Sequence, residues 1–209
     1  MKPIHNIDKW FSWMDELAEQ NYVVIDDFID NNLYKEIKNF LFDKIDVFDQ
    51  AGIGALNQNT IKKTIRGDKT YWLNKERDQE LHVFWDLLAE TKSTLNRYCY
   101  LSLSGDEFHL AHYPSGGYYA RHLDQFDGRN NRMISMIIYL NENWKTGNGG
   151  QLEILDKNRE LQLVDPIAKR CVLFKSDKVP HAVLKSFKDR YSLTGWLLYQ
   201  PTSLAPILG

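Results

Sequence analysis

The sequence predicts an α+β fold: a double-stranded β-helix (jelly-roll) core buttressed by N-terminal helices. In the first half, apolar residues recur mostly at helical spacing. From Glu107 onward, about eight short β-rich runs alternate with turn residues, the pattern of a sandwich or double-sheet jelly roll. Helices first and strands later place the helices against one sheet. A chain of 209 residues with 43% hydrophobic and 26% charged residues is expected to form a single domain over 1–209. Within it, 1–58 is expected to be mainly helical support with a candidate lid, and 59–200 the jelly-roll core.

Each element has a local reason. Trp10, Trp13, Met14 and Leu17 fall at helical spacing over Ile7 to Glu19, and Asn21 to Phe28 is a short β-rich run. Asp30 suits an N-cap for a helix carrying Leu33, Tyr34, Ile37, Phe40 and Leu41 on one side. The stretch 49–59, with Gly52 and Gly54, reads either as a lid or as a plain surface loop. A further helix over Asp78 to Arg97 has Leu81, Phe84, Trp85, Leu88 and Leu95 as its stripe. Strands follow at Glu107–Tyr113, Tyr118–Leu123, Arg132–Leu140, Gly150–Leu155, Leu161–Pro166, Arg170–Lys175, Ala182–Leu184 and Tyr191–Tyr199. Turns rich in Gly, Asn, Asp and Pro separate them, as at Pro114–Gly117 and Gly147–Gly150.

Composition excludes several function classes. A net charge of −2 leaves no electrostatic footprint for nucleic acid. No apolar run is long enough for a membrane span, and the polar start at Met1 to Asp8 does not read as a signal peptide. Cys99 and Cys171 match no zinc spacing and, being so few, point to a reducing cytoplasmic setting. The 11 Tyr, 10 Phe and 6 Trp are mostly accounted for by packing between layers.

The residues that carry chemistry are His122, Asp124, His181 and Arg190. His122 and Asp124 stand at i and i+2 of a strand end, so both side chains can face the barrel interior while Leu123 points away. His181 follows 57 positions after Asp124, late enough for the last strands to fold back against the first pair. Alone, His181 would read as a hydrogen-bonded, half-buried histidine. Two imidazoles and one carboxylate leave positions open on an iron ion, as in facial triads. Alternation places Arg190, Ser192, Thr194 and Trp196 on one face of the last strand and Tyr191, Leu193 and Leu197 on the other. A buried guanidinium needs an anion, and its fork suits a carboxylate. That carboxylate belongs either to a ligand or to an acid elsewhere in the fold, such as Asp165.

Further motifs extend the pattern: Ile65–Leu73 (IRGDKTYWL), His112-Tyr113-Pro114, Tyr119–Asp124 (YARHLD), Tyr139–Trp144 (YLNENW), Gly149–Leu152, Ser176–His181 and Arg190–Trp196. Together they resemble the 2-oxoglutarate- and Fe(II)-dependent dioxygenases, in particular the prolyl hydroxylase branch containing the hypoxia-inducible-factor prolyl hydroxylases and their bacterial relatives. The likeness covers roughly residues 60 to 198, and several motifs in order make it more specific than any one of them.

The resemblance implies Fe(II) held by His122, Asp124 and His181, with 2-oxoglutarate and dioxygen as co-substrates and ascorbate as a stimulant. It implies Arg190 on the distal carboxylate of 2-oxoglutarate with Tyr139 as second donor, and Tyr113, Ile137, Leu152, Thr194 and Trp196 around the co-substrate. For Tyr113 and Trp196, plain wall packing is the competing reading. Arg66, Asp68, Tyr119 and Arg132 would face the substrate, although Arg66 and Asp68 could equally form a surface ion pair. The partner implied is a peptide or protein with an exposed proline, such as a translation elongation factor, and neither nucleic acid nor membrane. Two alternatives stay open: the same chemistry on a free amino acid or small metabolite, and a non-catalytic metal-binding jelly-roll sensor.

Overall fold

The structure, a computed structural model, describes residues 3–51, 66–125 and 130–199. Helix α1 (Ile7–Gln20) starts at Asn6, whose side chain accepts from the Asp8 amide, and it buries Trp10, Met14 and Leu17. Asn21 ends it in the left-handed region at φ 67°, and β1 (Tyr22–Ile25) follows at once. Helix α2 (Asn31–Lys44) is capped by the Asp30 carboxylate, which accepts from the Asn32 and Leu33 amides. A short strand β2 (Asp49–Gln50) pairs with β3 (Lys69–Trp72).

Helix α3 (His82–Cys99) begins later than its stripe predicts, after a 3-10 turn over Gln79–Leu81. Asp78 does not cap it. Its carboxylate is buried and accepts instead from the Tyr71 hydroxyl, the Asn74 amide and the Arg77 guanidinium. With that carboxylate committed to the preceding loop, no side chain caps the helix.

The remaining strands are β4 (Leu103–Tyr113), β5 (Tyr119–His122), β6 (Arg132–Tyr139), β7 (Leu152–Leu155), β8 (Leu161–Val164), β9 (Cys171–Lys175), β10 (His181–Val183) and β11 (Arg190–Tyr199). Among the described residues they form a seven-stranded sheet, ordered β1-β9-β6-β11-β4-β3-β2, and a four-stranded sheet, β5-β10-β7-β8. Every pairing between these named strands is antiparallel. β4 is longer than the alternation alone suggests, because Leu103 to Asp106 continue the ladder with β11.

The large sheet has two unlike faces, set by the period of two. One face gives Leu110, Ile134, Met136, Ile138, Leu193 and Leu197 to a core shared with Trp10, Leu33, Ile37 and Phe84 of the helices. The other turns toward the small sheet. There Ile137, Val172 and Phe174 pack with Leu152, Ile154 and Val164 at one end, and a cavity remains at the other. Gly195 lets β11 lie close to β4, since a Cβ there would meet the Glu107 carbonyl oxygen at 2.2 Å.

Candidate metal centre and its pocket

Strands β5 and β10 bring the two histidines together, with His181 directly opposite His122 in the antiparallel register. β5 ends at His122, so Asp124 is reached through a bend rather than along the strand, and Leu123 lies 40% exposed at the cavity rim instead of behind the wall. His122 Nδ1 is 2.9 Å from the Ala120 carbonyl oxygen, and His181 Nδ1 is 3.0 Å from that of Val179. A carbonyl only accepts, so each Nδ1 carries the proton and each Nε2 keeps its lone pair free. Both Nε2 atoms turn toward one carboxylate, His122 at 3.4 Å from Asp124 Oδ1 and His181 at 3.6 Å from Oδ2. One ligand atom from each of the three residues lies within 4.8 Å of the others. Such a set of N and O donors, with each imidazole oriented through its far nitrogen, is the donor chemistry of a divalent first-row metal.

Protonation states agree with that geometry. Burial, with His122 adding to it, lowers the His181 pKa to about 4 against the pull of Asp124, so the ring is neutral near pH 7. Burial works against an ionised Asp124, but His181, His122 and the Ser135 hydroxyl outweigh it and hold the carboxyl well below the usual range. Ser135 donates to Asp124 Oδ2 at 2.6 Å, and Arg132 donates to the Asp124 backbone carbonyl at 3.3 Å.

The centre opens into a cavity of about 730 Å³. Its walls include Tyr113, Ile137, Leu152, Arg190, Thr194 and Trp196 of the predicted co-substrate set, and Arg66, Tyr119 and Arg132 of the predicted substrate set. Arg190 is 1% exposed, and its Nε donates to the Gly150 carbonyl at 2.9 Å. Gly150 fits there because its φ is +67° and a Cβ would sit 3.2 Å from Arg190 Cδ. No carboxylate pairs with Arg190 among the described residues, and Asp165 is engaged elsewhere, accepting from Gln151 Nε2. Tyr139 is fully buried beside this guanidinium, 5.1 Å from ring centroid to Cζ, and its hydroxyl finds no partner of good geometry among the described residues. Burial raises its pKa to about 12, with Arg190 opposing.

Asp68, of the predicted substrate set, does not line the cavity. It is fully buried behind Arg66 instead of facing the cavity, and it accepts from Arg66 Nε at 2.7 Å and Nη2 at 2.6 Å. The pair is therefore not a surface ion pair. It holds the guanidinium 4.5 Å over the Tyr119 ring, and Tyr119 in turn stacks on His122 at 3.8 Å. Arg132 lies 3.4 Å over the Trp196 ring and is paired with Glu107 at 3.1 Å.

Several wall residues were missed by reading motifs alone. His109 is 4% exposed and packs against both Trp72 and Trp196, at 4.8 and 5.7 Å between ring centroids. Burial, followed by the Arg66 charge, brings its pKa down to about 3, so it is neutral. Counting by twos back from Tyr113 along β4 would have found both His109 and Glu107. Ser135, which lies behind the wall, could have been found by the same count back from Tyr139 on β6. The candidate lid falls mostly outside the described residues, which include only Asp49, Gln50 and Ala51 of it.

Comparison with known proteins bears on this geometry. Residues 108–198 match the sequence profile of the 2OG-Fe(II) oxygenase superfamily. A hypoxia-inducible factor prolyl hydroxylase of Caenorhabditis elegans is 28% identical over 200 residues, 87% of this chain. The chain spans about a quarter, 27%, of that relative's length. Among solved structures, a Pseudomonas putida prolyl-4-hydroxylase superposes with a TM-score of 0.82 at 29% identity, covering 90% of this chain and 98% of the other. A Trichoplax adhaerens prolyl hydroxylase, solved with a hypoxia-inducible factor oxygen degradation domain peptide, gives 0.79 at 25% identity, covering 93% and 94%.

Proposed function

We propose, from the premise that residues 108–198 are a 2OG-Fe(II) oxygenase domain, that this chain hydroxylates a prolyl residue of a protein and releases succinate and carbon dioxide. The observation that carries the reading is the pairing of two tautomer-fixed imidazoles and a carboxylate with an acid-free, buried Arg190 in one cavity. The residues fit both groups. His122, Asp124 and His181 would hold Fe(II), and Arg190 with the unpartnered Tyr139 hydroxyl would take the distal carboxylate of 2-oxoglutarate. Fe(II), 2-oxoglutarate and dioxygen together supply the oxidising power to place one oxygen atom on an unactivated C–H bond.

The chain's own residues do the rest. The Ala120 and Val179 carbonyls orient the two imidazoles, and Arg132 pins the backbone at Asp124. Ile137, Leu152 and Val183 form the apolar floor that keeps water from the co-substrate. Tyr119, held between Arg66 and His122, shapes the wall on the substrate side together with Arg132 and Trp196. A prolyl ring is compact and apolar, and the Trp72, His109 and Trp196 rings, tilted to one another by 31–46°, offer it an aromatic wall.

The prolyl substrate is supported by the names of the relatives above and by the aromatic wall. A translation elongation factor is the first protein to test, in a reducing cytoplasm where Cys99 and Cys171 remain thiols. Among the described residues no helix is long and apolar enough to cross a membrane. The test is to incubate the chain with Fe(II), 2-oxoglutarate and proline-bearing peptides while measuring succinate and peptide mass. The expected result is succinate matched by a gain of one oxygen on proline. Succinate matched by oxygen on a free amino acid instead would move the substrate class, and no succinate from iron-loaded chain would overturn the oxygenase reading.

A further inference from the structure

Behind Asp124 lies a pair of serines that the cavity does not expose. Ser135 on β6 is 1% exposed and Ser176, in the turn leading to His181, is fully buried. The Ser135 hydroxyl donates to Asp124 Oδ2 at 2.6 Å, and the two serine oxygens are 2.9 Å apart. A carboxylate can only accept and Ser135 has one proton to give, so Ser176 must be the donor in the second bond. The result is a one-way chain, Ser176 to Ser135 to Asp124. Its backbone is tied at both ends: the Ser176 amide donates to the Met133 carbonyl at 3.1 Å, and the Ser176 carbonyl accepts from Gln125, the neighbour of Asp124, at 3.4 Å.

We infer that Ser135, backed by Ser176, is a positioning residue for the metal: it occupies one carboxylate oxygen of Asp124 and leaves the other as a single, aimed ligand atom. The inference rests on the reading of His122, Asp124 and His181 as the metal centre. Three segments meet at these two hydroxyls: the bend after β5 that carries Asp124, strand β6, and the turn that delivers His181. Donation at 2.6 Å to an ionised acceptor is in the range of strong, charge-assisted bonds. In a site this dry, a hydroxyl removed from Oδ2 is not replaced by solvent, and the carboxylate is freed to rotate or to offer both oxygens. Partners that orient a ligand in this way typically change metal affinity by about 10- to 100-fold when removed.

The test measures Mn(II) affinity by titration calorimetry, and bound-metal geometry by the Co(II) visible spectrum, in the full chain and four variants. Ser135→Ala is expected to bind Mn(II) about 10- to 100-fold more weakly and to shift the Co(II) bands, while Ser135→Thr, which keeps the hydroxyl, restores both. Ser176→Ala leaves the Ser135 donor in place and is expected to lose less, under about tenfold, giving a second reading if Ser135→Ala folds poorly. His181→Ala is the control for the centre itself. Unchanged affinity and spectrum in both serine-to-alanine variants, with the unaltered chain binding and His181→Ala not binding, would overturn this inference alone. Failure of the unaltered chain to bind would overturn the metal reading and this inference with it.

Discussion

The two faces of the seven-stranded sheet are built from the same strands and obey opposite rules. On β11, Leu193 and Leu197 enter the helix-covered core, while Arg190, Ser192, Thr194 and Trp196 line the cavity. On β6, Ile134, Met136 and Ile138 face the helices, whereas Arg132, Ser135 and Tyr139 lie on the other side. The helix face is chosen for transfer out of water and close packing. The cavity face keeps a buried cation bonded within the protein only to the Gly150 carbonyl, among the described residues, and a buried Tyr139 hydroxyl with no partner of good geometry there. A fold that retains such groups is retaining them for what they bind.

That contrast predicts effects of different kind on the two faces. The largest is expected from His181→Ala, which should abolish metal binding and turnover by more than about 100-fold, beyond what loss of a supporting partner costs, with little change in thermal midpoint. Calorimetric metal titration alongside a melting curve would show it; a large fall in midpoint would mean that His181 is structural. Next is Asp68→Ala, which removes the fully buried carboxylate from the half-buried Arg66 guanidinium and should cost about 3–5 kcal/mol in denaturant unfolding. A cost below about 1 kcal/mol would show the pair to be dispensable to the wall.

Leu193→Ala and Arg190→Met form a matched pair on opposite sides of β11. The first should lose about 2–5 kcal/mol of stability. A change of that size lowers the melting midpoint by roughly 4–20 °C in a chain of this length. For the protein that remains folded, KM for 2-oxoglutarate should stay near normal. The second should weaken 2-oxoglutarate binding by about 2–5 kcal/mol, while loss of the Gly150 bond costs the ligand-free chain only about 1–3 kcal/mol. Equal behaviour of the two would erase the distinction between the faces. The smallest effect belongs to the periphery: Asp30→Ala removes the α2 cap and should cost about 1 kcal/mol without touching either binding constant.

Much of this was legible in the sequence because it follows from periods. The stripes of α1, α2 and α3 and the alternation on β11 depend on spacing of 3.6 or 2, whereas His122, Asp124 and His181 meet through the β5–β10 register and the bend after His122. What escaped depends on partners distant in sequence or on commitments that a side chain makes elsewhere. Asp78 reads as the first residue of the third helix until Tyr71 and Arg77 are seen to claim its carboxylate and the helix starts at His82. Asp68 resembles a surface acid in an Arg-Gly-Asp run until the fold covers it and turns Arg66 toward Tyr119. Ser135 and Ser176 are 41 positions apart, and nothing in either serine alone announces the carboxylate between them.

The most direct test of the account is an anaerobic titration of metal-free chain with Fe(II) and then 2-oxoglutarate, following the visible metal-to-ligand charge-transfer band. The account predicts a band in the unaltered chain, the same band at higher 2-oxoglutarate concentration in Arg190→Met, and none in His181→Ala. A folded, iron-loaded chain that shows no band at saturating 2-oxoglutarate would contradict it, and would leave a metal-binding jelly roll without oxygenase chemistry.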